Sequence, residues 1–214
     1  MADFGRTKIL RVPYLVQPDP TWCQSTVLKM IAMYIEQSVL FASFGGADRK
    51  IADIWKDINT GTARPQQVHN SLTNMKWWLQ SHYPRLNFRY QETRQEDVTV
   101  EKIVGSIDAG FPVLVSVSHS GTHGHIILVI GYENYRPNMS SADFQLVVND
   151  PYGRFDPSLA KRMFGSHRFD GGASLPSGGE SSPGSGNRIP IYAASRRRAD
   201  DQARGIFRLI TCRR

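Results

Sequence analysis

The chain has 214 residues, of which 40% are hydrophobic, and it carries a formal net charge of +7 at pH 7. This is enough apolar chain for one sizeable core, so we expect a single soluble domain over residues 1–214. No stretch reaches the roughly 20 apolar residues of a membrane span, and the first residues lack the apolar core of a secretory signal. The basic residues are not interleaved with aromatic residues as they are in nucleic-acid binding motifs, so nucleic acid is an unlikely partner.

The first predicted element is a helix that begins near Cys23. Apolar residues follow at helical spacing, namely Val27, Met30, Ile31 and Tyr34. Pro18, Pro20 and Thr21 fit a sharp turn into the helix, with Thr21 or Asp19 as its cap. In the first helical turn, unpaired backbone N–H groups and the positive end of the helix dipole favour a thiolate over a thiol. Taken alone, however, Cys23 fits a small buried hydrophobic residue better than a catalytic one.

Two more helices and a strand are predicted in the middle of the chain. Residues Pro65 to Gln80 form a helix, in which Trp77 and Trp78 belong to the core or line a groove. Its apolar face consists of Val68, Leu72, Met75 and Leu79. A short helix from Glu101 to Ala109 ends at Gly110. The segment from Phe111 to Val117 is predicted as a strand.

Two apolar, β-branched runs predict the next strands, His125–Tyr132 and Phe144–Asp150, with turn-forming residues at 136–139 between them. In an antiparallel hairpin centred between Pro137 and Asn138, His125 lies directly across from Asp150. At that distance a carboxylate can orient an imidazole. The connection is long enough for the register to slip, which makes the register the weakest step.

The order Gln17, Cys23, His125, Asp150 is the layout of a thiol nucleophile with its helpers. Cys23 would attack a carbonyl as the thiolate, His125 would pair with it and protonate the leaving amine, and Asp150 would fix the histidine tautomer. Gln17 could donate its side-chain amide to the developing oxyanion, together with the Cys23 backbone N–H. For Gln17 alone, an ordinary loop amide is the simpler interpretation.

Three segments carry a family resemblance: Val12-Pro-Tyr with Gln17 and Trp22-Cys23, Gly124-His125 to Gly131-Tyr132, and Asn149-Asp150-Pro-Tyr-Gly153. Over residues 10–155 the chain resembles the free-standing relatives of the bacteriocin-processing (double-glycine leader) cysteine peptidases, which have a papain-like fold.

The resemblance implies Cys23 as nucleophile, His125 as base, Asp150 as orienting acid and Gln17 as oxyanion donor. It also implies an α+β fold, in which an N-terminal helical part carrying the cysteine packs on an antiparallel sheet carrying the histidine and aspartate. After the nucleophile the family usually has Gly-Pro, whereas this chain has Gln24-Ser25, which calls the tight packing there into question. The transporter domain of the leader-processing members has no counterpart in this sequence, so their substrate is not implied.

The last part of the chain contains a segment rich in Gly, Ser and Pro, residues 171–187. Such a segment buries too little apolar surface to offset its ordering entropy, so we expect a mobile insertion. The run Ile206–Thr211 is predicted to return to the sheet as a strand. Cys212 is interpreted as a bystander, because a bond between Cys23 and Cys212 would disable the enzyme.

Two alternatives remain open. His119, His123 and His125 lie close in sequence and, with an aspartate, could bind zinc in a hydrolase, although such a site would leave the Cys23 segment unexplained. A papain-like cleft that binds a peptide without cutting it is the other alternative.

The sequence therefore predicts a cysteine peptidase that needs no cofactor and hydrolyses a peptide or isopeptide bond through a thioester. The positive charge suggests an anionic partner such as peptidoglycan. A bacterial or phage protein of this kind would be made in the cytoplasm and reach the cell wall by lysis or through a secretion machine. Processing of a particular protein or leader peptide is equally open, and the sequence does not predict the oligomeric state.

Overall fold

The computed structural model describes residues 5–37, 45–69, 71–92, 100–118, 124–137, 144–151, 187–190 and 206–213. In these residues the chain forms four helices and seven strands. In order they are β1 (Arg6–Ile9), α1 (Cys23–Gln37), α2 (Ile51–Asn59), α3 (Leu72–His82), β2 (Asn87–Glu92), α4 (Val100–Asp108), β3 (Val113–Ser118), β4 (Gly124–Tyr135), β5 (Gln145–Asn149), β6 (Asn187–Pro190) and β7 (Ile206–Arg213).

The strands form one antiparallel sheet in the order β2-β7-β3-β4-β5-β6. β3 pairs with the first half of β4, and β1 pairs with its second half. Three of the four helices precede β2, and the remaining one lies between β2 and β3. The predicted α+β class is confirmed, and the arrangement is consistent with a papain-like fold.

The core lies between the helices and the centre of the sheet. In β4 the five consecutive residues from Ile126 to Ile130 are all buried, as in a strand that is covered on both faces. Helix α1 packs against β4, and α4 packs against β4 and β7. Each large aliphatic side chain buried here stabilises the fold by about 1.5–3 kcal/mol. Strand β4, which carries His125, is therefore fixed by the packing of the core.

Two helix predictions are confirmed to within a residue or two. Helix α1 begins at Cys23 and buries Val27, Met30 and Ile31. Helix α4 covers the predicted short helix and ends before Gly110, whose φ of 87° suits glycine. The chain turns there because the Gly110 N–H donates to Ile107 and the next N–H donates to Ser106.

The helix predicted from Pro65 begins only at Leu72, and Val68 is not on its buried face but 64% exposed. The cause is the buried amide of Asn74, which holds the preceding loop in a non-helical conformation. Its Nδ2 donates to the carbonyls of Ile58 and Gln66, and its Oδ1 accepts from the Gln66 N–H. Trp78 is fully buried and Trp77 packs against the core, as predicted.

The predicted register of the β4–β5 hairpin is wrong by two residues. Leu128 pairs with Asn149 and Val129 with Val148, whereas the symmetric hairpin would pair Asn149 with Ile126. A bulge follows at Ile130, and beyond it Gly131 pairs with Val147. Before the bulge the shift of two residues keeps the side chains on their predicted faces, whereas beyond the bulge the shift is three residues.

The remaining sequence predictions have mixed outcomes. β7 returns to the sheet between β2 and β3, as expected. No helix or strand was predicted for the residues that form β1, α2 and β2. The segment 171–187 lies outside the described residues except for Asn187, which begins β6. Among the helices that the structure describes, none has the length and hydropathy of a membrane span.

Candidate active site

The turn before α1 determines where the helix begins. Asp19 Oδ1 accepts hydrogen bonds from the Thr21 N–H and hydroxyl, and these two bonds hold the pKa of the Asp19 carboxyl below its usual range. The Trp22 N–H donates to the Asp19 carbonyl, and the Thr26 N–H donates to the Trp22 carbonyl. Pro18 and Pro20 have no N–H to donate. Helix α1 therefore begins at Cys23.

Cys23 is a free cysteine and the first residue of α1. At this position the backbone N–H groups have no partner inside the helix. The residue is only 7% exposed, so a small part of it faces solvent. Cys23 therefore lies in the first turn of α1, at the positive end of the helix dipole.

His125 and Asp150 form a buried pair. His125 Nε2 donates to Asp150 Oδ1 at 2.8 Å, and the two side chains are 1% and 0% exposed. Because a carboxylate oxygen can only accept, Nε2 carries a proton. By the register of the hairpin, Asp150 follows the residue paired with Leu128, so it lies diagonally from His125. A diagonal neighbour is still within reach of an imidazole.

The Cys23 side chain also acts on the imidazole, since it raises the pKa of His125. Burial alone would lower the pKa of His125, but the hydrogen bonds to Asp150 and Cys23 and their charges outweigh burial and raise it to about 9. Because Nε2 bonds to Asp150, a proton exchanged with another group would move through Nδ1. The structure thus joins His125 to Asp150 by a hydrogen bond and places Cys23 near enough to raise the pKa of the imidazole.

Gln17 lies in the loop that adjoins this pair. Its backbone N–H donates to the Pro151 carbonyl at 2.7 Å, and the Tyr14 hydroxyl donates to the Asp150 carbonyl at 2.8 Å. Gln17 Nε2 donates to the Asp19 carbonyl at 2.8 Å, which leaves one of its two hydrogens available. No role was predicted for Tyr14, although it lies in the Val12-Pro-Tyr segment that carries the family resemblance, because its contribution is a contact between distant segments.

The two residues after Cys23, where the sequence departs from Gly-Pro, are buried. The Ser25 hydroxyl donates to the Trp22 carbonyl at 3.1 Å, within the first helical turn. Gln24 has its Oε1 buried without a hydrogen-bond partner among the described residues. The departure is therefore accommodated inside the helix, at the cost of one unsatisfied amide oxygen.

The zinc alternative involves residues that the structure does not describe. His119 and His123 lie in the stretch 119–123, outside the described residues. Within the described part of the chain, no group of three or more His, Cys, Asp or Glu side chains is placed to hold a metal ion. The third member of the predicted cluster, His125, has its Nε2 bonded to Asp150.

Residues 9–166 match the model of the Peptidase_C39-like family. The chain belongs to this family. No curated protein sequence gives a significant match.

The Peptidase_C39-like match covers well over half of the chain and includes Gln17, Cys23, His125 and Asp150. It ends before β6 and β7, which complete the sheet. Membership confirms the predicted relationship and indicates a function of the cysteine-peptidase type.

Proposed function

We propose that the protein is a cysteine peptidase with Cys23 as nucleophile, His125 as base and acid, Asp150 as the orienting carboxylate and Gln17 as an oxyanion donor. The observation that supports the proposal most is the buried His125–Asp150 hydrogen bond, beside a Cys23 side chain that raises the pKa of the imidazole. This is the constellation that activates a thiol.

In the first half of the reaction, the Cys23 thiolate adds to the carbonyl carbon of the scissile bond, and the carbonyl electrons move onto its oxygen. The Cys23 N–H and the second hydrogen of Gln17 Nε2 would stabilise that oxyanion. When the C–N bond breaks, the proton on His125 Nδ1 passes to the leaving amine. The product is a thioester on Cys23.

In the second half, His125 takes a proton from water, and the resulting hydroxide adds to the thioester carbonyl. Collapse of this intermediate breaks the C–S bond, releases the carboxylic acid and restores the thiolate beside the imidazolium. Asp150 keeps Nε2 protonated throughout, so that Nδ1 is always the nitrogen that exchanges protons.

For the substrate we propose the peptide bridges of an anionic bacterial cell wall. The net charge of +7 supports an anionic polymer as partner, because opposite charge raises the local concentration of the protein at its surface. Delivery by lysis or by a secretion machine remains part of this proposal.

The peptidase is tested by trapping the thioester. We expect an activated peptide ester to add its acyl mass to Cys23 in the wild type, as read by intact and peptide mass spectrometry. Cys23→Ala should acquire no acyl group, and Cys212→Ala should acquire it as the wild type does, because Cys212 lies buried in β7. No acyl-enzyme in a folded wild type would contradict the proposal and favour a peptide-binding module.

A further inference from the structure

Three aromatic rings form a row that begins at the residue before the nucleophile. The rings of Trp22 and Trp55 are stacked, with centroids 6.1 Å apart and planes 27° apart. Trp55 in turn lies 6.5 Å from the ring of His69, at 36°. The row therefore joins the turn before α1, helix α2 and the loop before α3. We call it the aromatic row.

The aromatic row is open to solvent, in contrast to the core tryptophan. Trp22 and Trp55 are half-buried and His69 is exposed, whereas Trp78 is fully buried. Stacked indole rings that keep part of their surface in water are typical of recognition surfaces, since they offer much apolar area at little conformational cost.

The most exposed large apolar side chains in the described residues lie beside site residues in the chain. They are Val68 at 64% and Val16 at 55%. Val68 precedes His69, the end of the aromatic row, and Val16 precedes Gln17. Exposed apolar side chains that accompany a site mark it as a binding surface more strongly than scattered ones do.

The aromatic row is also held in place. The Trp22 N–H donates to Asp19, which fixes the start of the row. The loop that carries its other end is anchored by the buried Asn74, whose amide bonds to Gln66 and Ile58. Helices α1 and α2 pack against each other. Binding of a ligand would therefore cost little conformational entropy at this surface.

We propose that the aromatic row is a subsite for a large apolar or aromatic side chain of the peptide substrate, next to the scissile bond. Trp22 immediately precedes Cys23 in the chain, so the row begins next to the proposed nucleophile. A substrate side chain stacked on Trp22 would belong to a residue near the scissile bond. The inference rests on the proposed peptidase activity and adds a side-chain preference, which favours a protein or leader-peptide substrate over cell-wall peptides, because those carry no aromatic side chain.

The first test measures binding without catalysis. Blocked amides of phenylalanine and of alanine are compared as protectants of Cys23 against iodoacetamide, read by peptide mass spectrometry. We expect the phenylalanine amide to protect at about tenfold lower concentration in the wild type. Trp55→Ala should lose this difference, and Trp55→Phe should retain it.

The matched control is Trp77→Ala, which removes a partly buried tryptophan of α3 outside the aromatic row and should retain the difference. Equal protection by both amides in the wild type, or an unchanged difference in Trp55→Ala, would overturn the subsite. So would stronger protection by an N-acetylglucosamine oligomer than by the phenylalanine amide, which would indicate a glycan surface. None of these readouts requires turnover, so failure of the subsite is distinct from failure to form an acyl-enzyme.

Discussion

At the scale of the residue, the chemistry depends on whether the His125 imidazole is protonated. Its pKa is raised from 6.5 to about 9, because the bonds and charges of Asp150 and Cys23 outweigh the effect of burial. Since the folded value is the higher one, protonation of His125 stabilises the fold fully below about pH 6.5. That contribution is lost as the pH rises through about 9.

The pKa of His125 predicts the alkaline limit of activity. We expect kcat/KM to fall as the pH rises through about 9, because the neutral imidazole can no longer protonate the leaving amine. Asp150→Asn removes the carboxylate that raises this pKa, so it should move the limit to lower pH and reduce kcat/KM by about a hundredfold. A pH–rate profile on a small peptide ester measures both effects.

The control for this profile is Asp108→Asn, which makes the same acid-to-amide change at a carboxylate bonded to Tyr132 and Arg6. Its alkaline limit should coincide with that of the wild type. An alkaline limit near 6.5 in the wild type, or a profile that Asp150→Asn leaves in place, would contradict the assigned hydrogen bonds.

The residue types of the site could be predicted from the sequence, but not all of their contacts could be. Cys23, His125 and Asp150 stand out in the sequence because each lies at the end of a helix or strand that the pattern of apolar residues predicts. The diagonal placement of His125 and Asp150 could not be predicted, because it depends on where the hairpin begins to pair. The stack of Trp22 on Trp55 depends on how α2 packs on α1, which no local pattern encodes.

At the scale of the element, the long strand β4 depends on one close approach. A Cβ on Gly131 would lie 2.5 Å from the Lys8 carbonyl oxygen and 2.8 Å from the Ile9 Cα. These are backbone atoms of β1, which pairs with β4 at this point. Backbone atoms cannot swing aside, so only glycine lets the two strands pair here.

This contact predicts opposite effects for two glycine substitutions. Gly131→Ala should lower the free energy of unfolding by about 1–3 kcal/mol, because β1 must move away. Gly105→Ala should raise it by about 0.5–1 kcal/mol, since Gly105 lies in α4 with no atom within 4 Å of its Cβ position. Urea denaturation measures both. Equal stability of the two variants would show that β1 is not held against β4 as described.

The fold predictions succeeded where burial is periodic and failed where a tertiary contact decides the structure. The residues of α1 and α4 show their buried faces in the sequence itself. The segment before α3 also has suitable spacing, yet the Asn74 amide holds Gln66 in a loop. Strands β1 and β2 are short edge or end elements whose pairing partners are far away in the chain.

At the scale of the whole molecule, the positive charge bears on the proposed cell-wall substrate. If the wall polymer attracts the protein, then screening by salt should slow its action on intact peptidoglycan but not on a small neutral ester. We expect muropeptide release, read by mass spectrometry, to fall several-fold between about 50 mM and about 500 mM salt, while ester cleavage changes little.

Cys23→Ala is the control for this experiment and should release no muropeptides at any salt concentration. Absence of release by the wild type would remove the cell wall as substrate, while an acyl-enzyme in the same preparation would leave the peptidase in place and direct the search to protein substrates.

The bulge at Ile130 divides the β4–β5 hairpin into two parts. On one side lie the pairs next to His125 and Asp150, and on the other side β4 is shared by β5 and β1. The Ile130 carbonyl is not lost to the sheet, because it accepts the Leu10 N–H at 2.8 Å. Because the bulge already takes up one extra residue of β4, we expect a change in the length of the connection at the far end of the hairpin to leave the pairs beside His125 and Asp150 in register.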